Sequence, residues 1–206
     1  MADSEWPNIH AERRALAQDL ADLTSAQWST PSLCAGWTVH QVLAHQAATA
    51  KMTPGSFLTK FAGAGFSFST FTDKQIAVQA AGGPTATLAA FRAVETATSS
   101  PPGPKDSWLG EALVHSEDIR CPLGLHRDYP GPAVTRAITF YAGSNAIIGG
   151  KKRVAGLTLR ATDTDFAIGS GPEVSDPAMA LLLATTGRTV ALVDLTGPGL
   201  ATLRAR

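Results

Sequence analysis

The chain has 206 residues, enough for one domain, or one domain with a small appendage, to bury a core without disulfides or metals. Apolar residues make up 44% and charged residues 17%, a balance that excludes a disordered or fibrous chain. The 17 Lys and Arg equal the 17 Asp and Glu, which argues against a nucleic-acid or membrane-surface binder, because both use excess positive charge. We therefore expect a small-molecule or protein partner.

The compartment can be predicted from the cysteines and the apolar runs. Only Cys34 and Cys121 are present, with no C-x-x-C pair, which is too few for a secreted disulfide framework. The acidic first residues lack the apolar stretch of a signal peptide, and the strongest apolar run, 179–184, is too short to span a bilayer. These features predict a soluble cytoplasmic protein with reduced thiols.

The first 150 residues predict a helical body. Apolar residues recur at helical spacing, and Thr38 with Gln41 has the form of a capping box that opens a helix. The helices are expected at 7–27, 38–52, 84–98, 104–120 and 131–148.

The segment 53–82 is rich in Gly, Ser, Thr and Phe, and we expect a mobile stretch with short helices. Its rings form either a small separate core or the wall of a substrate pocket, and the flexible stretch would lie where a substrate enters. The phenylalanines concerned are Phe57, Phe61, Phe66, Phe68 and Phe71.

The pattern changes at Gly149-Gly150. Alternation over 157–162 predicts a strand, with a partner at 166–169 across a turn at 163–165. A helix is expected from Asp176-Pro177 to Thr186, then a short helix or strand within 195–203, whereas 151–153 reads as a solvated linker. The sequence thus predicts a helical domain, 1–150, and a small α+β domain, 151–206.

Two predicted helices carry residues that could hold a metal ion. Glu111 and His115, at i and i+4, lie on one helix face with an inward apolar stripe, whereas Glu117 points to solvent. His45 lies on another inward face, with Val42 and Met52. Together they would give a three-ligand N/O set with one open position, as in catalytic zinc sites. The alternative is a buried hydrogen-bonded pair or a surface ion pair.

Two motifs resemble those of the mycothiol-dependent maleylpyruvate isomerase family, within the DinB-like helical-bundle superfamily. The first is 33–39, which reads Leu-Cys-Ala-Gly-Trp-Thr-Val and leads into the helix with His45. The second is 111–120 followed by Pro-Leu-Gly at 122–124. Residues 157–160, 187–188 and 195–197 resemble the small C-terminal domain of many members. The resemblance implies a mainly α fold: a DinB-like up-down bundle with a small α+β C-terminal subdomain.

The resemblance also implies a chemistry. The family's metal ligands fall on His45, Glu111 and His115, all present here. The ion would be divalent, with zinc first and Ni, Mn, Co or Fe as alternatives. Mycothiol would be the thiol cosubstrate. Its addition to a conjugated double bond, followed by rotation and elimination, gives cis–trans isomerisation, and relatives transfer the thiol to a small electrophile instead.

The remaining candidate residues lie near these motifs. Asp118 would orient an imidazole or Arg120, or form a salt bridge at the helix end. Arg120 would grip an anionic substrate as the nearest cation, or form a structural pair with Asp118 or a carbonyl. Cys34 is interpreted as a small buried side chain rather than a nucleophile. The chain has Cys121 where the resemblance to the family implies Arg.

The competing function is a non-enzymatic metal-binding bundle with a stress or regulatory role. Both interpretations expect no nucleic acid, no membrane and a monomer or homodimer. Intact ligands favour the enzyme, whose partners would be a low-molecular-weight thiol and a small electrophile.

Overall fold

The computed structural model describes residues 5–146 and 148–206. They form two compact units, the first ending at His126 and the second beginning at Arg127. The predicted domain boundary at 150 stays a prediction about independent folding. The predicted helix 131–148 belongs to the second unit, as α8 (Gly131–Gly143), and position 147 lies outside the described residues.

The named elements of the first unit, within its described residues, are all helices. In chain order its helices are α1 (Trp6–Asp19), α2 (Ser25–Trp28), α3 (Val39–Ala50), α4 (Pro54–Ala62), α5 (Phe68–Ala80), α6 (Gly83–Arg92) and α7 (Lys105–Leu123). α3 is central, because it packs against α5, α6 and α7. Its buried face forms one core with residues from α1, α2, α6 and α7, including Leu20, Trp28, Leu43, Phe91 and Ile119.

The predicted helix 7–27 is wrong in its second half. α1 ends at Asp19, and the chain turns before Thr24 caps α2 through a capping box with Gln27. The turn lets Leu20 and Trp28 enter the same core. The helical spacing of the leucines continues past Asp19, where α1 ends, because residues in the following turn also bury apolar side chains.

The segment predicted to hold short helices contains one of 9 residues, α4, and one of 13, α5. Phe57, Phe61 and Phe71 pack with Met52 and Ala64, which supports the small-core interpretation for these three rings. Phe66 and Phe68 are instead largely exposed.

The second unit combines helices with a sheet. Its described elements are α8, α9 (Gly150–Arg153), β1 (Thr158–Ala161), β2 (Ala167–Gly169), β3 (Glu173–Asp176), α10 (Ala178–Thr185), a 3-10 helix (Thr189–Leu192) and α11 (Leu200–Arg204). The described strands are ordered β2-β1-β3, with β1 antiparallel to β2 and parallel to β3. α10 packs on α8, β1 and β3.

This unit confirms the predicted hairpin, and it corrects two expectations. β3 was not predicted, because its four residues alternate too briefly to stand out and it pairs with β1 only after a crossover. The Lys-Lys-Arg run at 151–153 is one turn of helix, α9, rather than a linker. The architecture confirms a mainly α fold with a small α+β C-terminal part. Within the described residues, no helix is long and apolar enough to cross a membrane.

Candidate metal centre

Two helices of the first unit place the candidate ligands. Thr38 begins α3 with the predicted capping box, in which its hydroxyl accepts from the Gln41 amide and the Gln41 side chain accepts from the Thr38 amide. The cap fixes which face of α3 turns inward, and His45 lies on its second turn. α3 packs against α7, which carries Glu111 and His115 one helical turn apart.

The structure brings the three predicted ligands together. One donor atom from each of His45, Glu111 and His115 lies within 4.8 Å of the others. His45 Nε2 is 3.6 Å from Glu111 Oε1, and the two imidazole rings meet edge to face with centroids 5.0 Å apart. The three side chains keep 16–19% of their surface exposed, so the cluster is mostly buried but reaches the solvent.

Burial sets the charge state of this cluster. It lowers the pKa of His45 to about 3, with a smaller effect of the same sign from His115. His45 is therefore neutral near pH 7, and its contact with Glu111 is not an ion pair. Burial also raises the pKa of Glu111, opposed by His115, by a hydrogen bond from Thr49 and by the charge of Arg13. A neutral imidazole is the form that binds a metal.

Asp118 forms a hydrogen bond with one ring nitrogen of His115. Its Oδ2 lies 2.8 Å from His115 Nδ1, and the residue is fully buried. We assign the ring proton to Nδ1 on the basis of this carboxylate partner, which leaves the Nε2 lone pair for the cluster. Among the predicted partners of Asp118, the structure shows the contact with an imidazole.

Cys34 lies closer to this site than the sequence suggested. Its thiol donates to Asp118 Oδ2 at 3.0 Å, and its sulfur is 3.5 Å from His115 Nδ1. Cys34, His115 and Asp118 thus form a second group compact enough for a metal ion. The two groups share His115, whose Nδ1 is already engaged by Asp118.

Arg120 does not lie among the candidate ligands. It is fully buried, and its guanidinium pairs with Glu12 at 2.5 Å and with Asp19 at 2.7 Å, both on α1. This geometry favours the structural role, with two carboxylates on another helix among the partners of Arg120. Glu117 was expected in solvent, but it is buried and accepts a hydrogen bond from the Cys121 thiol.

Three further residues complete the surroundings of the cluster. Trp37, from the predicted motif, packs on His45 with ring centroids 5.3 Å apart. Thr49 and Arg13, which act on Glu111, were missed. A signal for Arg13 existed: it lies four residues after Ile9 and three before Leu16, on the buried stripe of α1. Its Nη1 donates to the carbonyls of Val94 and Ala97, which fixes the charge in place.

Comparisons with known proteins agree with this architecture. Two solved structures match: a mycothiol-dependent maleylpyruvate isomerase, with a TM-score of 0.63 and 16% identity, and a histidine-to-alanine mutant of such an enzyme, with 0.62 and 15%. Each match covers 94% of this chain and 91% of the other. Identity this low shows the shared fold alone.

The comparison with family models shows more than the shared fold. No curated protein gives a significant match. The family model described as the mycothiol maleylpyruvate isomerase N-terminal domain matches residues 9–120, more than half of the chain and the part that holds every residue of the cluster. The chain therefore belongs to the family of the mycothiol maleylpyruvate isomerase N-terminal domain.

Proposed function

We propose that this protein is a metal-dependent enzyme that uses mycothiol to isomerise, or to transfer the thiol to, a small electrophile. The observation that carries the proposal is the convergence of His45, Glu111 and His115 within 4.8 Å, inside the segment that matches the family. The thiol partner implies a compartment that keeps such thiols reduced, and we propose the cytoplasm.

The donor set fits a divalent transition-metal ion. Two imidazoles and one carboxylate are borderline ligands that suit Zn, Ni, Co, Mn or Fe, and three protein ligands are the usual number at a catalytic zinc site. With three protein ligands, a tetrahedral ion would keep a fourth position for an exogenous ligand. A divalent ion held there would supply a Lewis acid that lowers the pKa of a coordinated thiol.

The residues of the chain prepare this site in three ways. Asp118 fixes the tautomer and the orientation of His115. A hydrogen bond from Thr49 lowers the pKa of Glu111 and so favours the carboxylate, the form that binds a metal. Trp37 covers one side of the His45 ring, which limits both its rotation and its access to water. A ligand set held this way is preorganised.

Metal content tests the ligand assignment. Purified His45→Ala and His115→Ala proteins should each lose most of the bound ion relative to the unmodified protein. His40→Ala is the matched control, because His40 lies on the same helix but hydrogen-bonds Thr87. Cys34→Ser should also retain the ion, which separates the two groups that share His115. Circular dichroism checks that each variant is folded, and full occupancy in both ligand variants would refute the site.

A thiol titration tests the enzymatic part separately. The cobalt-substituted protein, titrated with mycothiol, should develop a sulfur-to-cobalt charge-transfer band that saturates near one equivalent. Turnover is then assayed with small electrophiles that carry a conjugated double bond. If neither a band nor a heat of binding is observed in a protein that holds its metal, the thiol-dependent reading fails, and the metal-binding bundle becomes the better interpretation.

A further inference from the structure

The second unit contains a pocket that the proposed function does not use. This open pocket has a volume of about 130 Å³. One water molecule needs only about 10–15 Å³. The pocket lies beside the end of α10 and the C-terminal helix α11. Four arginines line it together with apolar side chains of Ala184, Leu192 and Leu203: Arg153, Arg188, Arg204 and Arg206.

The charged side chains that line this pocket are all positive. Residues 127–206 carry nine Lys and Arg against six Asp and Glu, a formal charge of +3 in a chain whose total is zero. Four of the nine cations line the pocket, and among its described lining residues there is no Asp or Glu. A concave surface with one sign of charge focuses its field, and here it attracts anions.

Backbone carbonyls hold the four guanidinium groups in place. Arg204 Nη2 donates to Leu192 O at 2.8 Å, and Arg188 Nη1 donates to Thr186 O at 3.1 Å. Arg206 Nη1 donates to the carbonyls of Arg153 and Ala155 at 2.9 and 2.6 Å. Bonds to neutral carbonyls fix the positions of Arg153, Arg204 and Arg206 without neutralising them, so their charge still acts on a ligand.

Arg153 is held by two backbone carbonyls. Its Nη1 donates to the carbonyls of Ile148 and Thr185, at 3.2 and 2.7 Å. Its guanidinium lies close to Gly187, which has φ +91°. A Cβ there would lie 3.0 Å from Nη2 and 3.1 Å from Cζ, so glycine permits this close approach. A guanidinium can bind a phosphate or carboxylate with two parallel hydrogen bonds.

We propose that this pocket binds a small phosphate monoester with a short apolar body. A phosphate group carries about two negative charges and three acceptor oxygens, which suits several guanidinium groups better than a single carboxylate does. The apolar side chains of Leu192 and Leu203 would contact the rest of the ligand. The site lies wholly within the second unit, and its assignment does not depend on the metal centre.

Isothermal titration calorimetry of the full chain tests the proposal with three probes: phenyl phosphate, inorganic phosphate and phenol. Phenyl phosphate should bind with one site per chain and more tightly than inorganic phosphate, and phenol should not bind measurably. Binding should weaken as the salt concentration rises, because the attraction is between charges near the surface. Equal affinity for phenol and phenyl phosphate, or no heat from either phosphate, would overturn the proposal.

Variants locate the binding. Arg204→Gln and Arg206→Gln, at exposed positions, should each weaken phenyl phosphate binding by at least about tenfold. Arg160→Gln is the matched control, because Arg160 is an exposed arginine of the same unit paired with Glu173 outside the pocket, and it should bind as the unmodified chain does. Arg153→Lys keeps the charge but loses the two-bond edge, so it should also bind more weakly. Thermal unfolding without ligand verifies that each variant is folded, and unchanged binding in all three pocket variants would refute the site.

Discussion

Replacing Arg120 tests whether this side chain joins helices or binds substrate. Arg120 of α7 donates to Glu12 Oε1 at 2.5 Å and to Asp19 Oδ2 at 2.7 Å, both on α1. Arg120 and Glu12 are buried, at 0 and 2% exposure. Arg120→Ala would leave the Glu12 carboxylate in the interior without its cation, and we expect a loss of about 3–5 kcal/mol in the free energy of unfolding. Asp19 adds little, since its partly exposed side chain regains water.

Urea unfolding followed by tryptophan fluorescence measures this loss. Arg14→Ala is the matched control, because Arg14 also joins α1 to a carboxylate, that of Glu95, but at 3.7 Å and with its side chain more than half exposed. The control should lose less than about 1 kcal/mol. Glu12→Gln combined with Arg120→Ala should cost less than the sum of the two single changes, since the double variant removes the stranded charge.

The opposite result is equally clear. If Arg120→Ala costs no more than Arg14→Ala, and the variant keeps its metal but shows a raised KM for an anionic substrate, the structural reading fails and Arg120 becomes a substrate-binding residue.

Three further predictions follow from charge and capping. In the metal-free protein the free energy of unfolding should fall as the pH is lowered from about 6.5 towards 3, by up to about 1.4 kcal/mol per pH unit. Over this range only the unfolded chain binds a proton on His45, because the pKa of His45 in the folded protein is about 3. The raised pKa of Glu111 opposes this trend. His45→Gln removes the titrating imidazole and should flatten the measured slope of unfolding free energy against pH, and an unchanged slope would contradict the role of His45. Burial and Glu117 raise the pKa of Cys121 to about 12. Its thiol should therefore react with a disulfide reagent at pH 8 at least about tenfold more slowly than free cysteine does. Glu117→Ala should speed the reaction, and a rate in the unmodified protein equal to that of free cysteine would refute the prediction. Thr38→Ala should lower the free energy of unfolding by about 1 kcal/mol and Thr38→Ser by much less, and equal losses in urea unfolding would show that the cap does not act through its hydroxyl.

The sequence indicated features that depend on near neighbours in the chain. The start of α3 follows from Thr38 and Gln41, which satisfy each other's backbone amides three residues apart. Glu111 and His115 share a helix face because four residues are about one turn, and the buried stripe shows that the face turns inward. The β1–β2 hairpin likewise needs only a short turn between two strands. These are local effects, and a single segment is enough to specify them.

Contacts between distant segments were decided by the tertiary structure. Arg120 meets Glu12 across 108 residues of sequence, and Cys34 meets Asp118 across 84. β3 joins β1 only through a crossover, and α1 ends at Asp19 because the following turn buries Leu20 and Trp28 together.

The candidate site shows both contributions. The sequence determined which residue types are present and which way the faces of α3 and α7 turn, because local hydrogen bonds and helical periodicity fix those directions. Only packing brought His45 to the Glu111–His115 pair, placed Asp118 behind one imidazole and gave Arg120 partners on α1. The free energy of such contacts comes from burying charges and apolar surface against segments far away in the chain, and no local pattern records which distant segment that is.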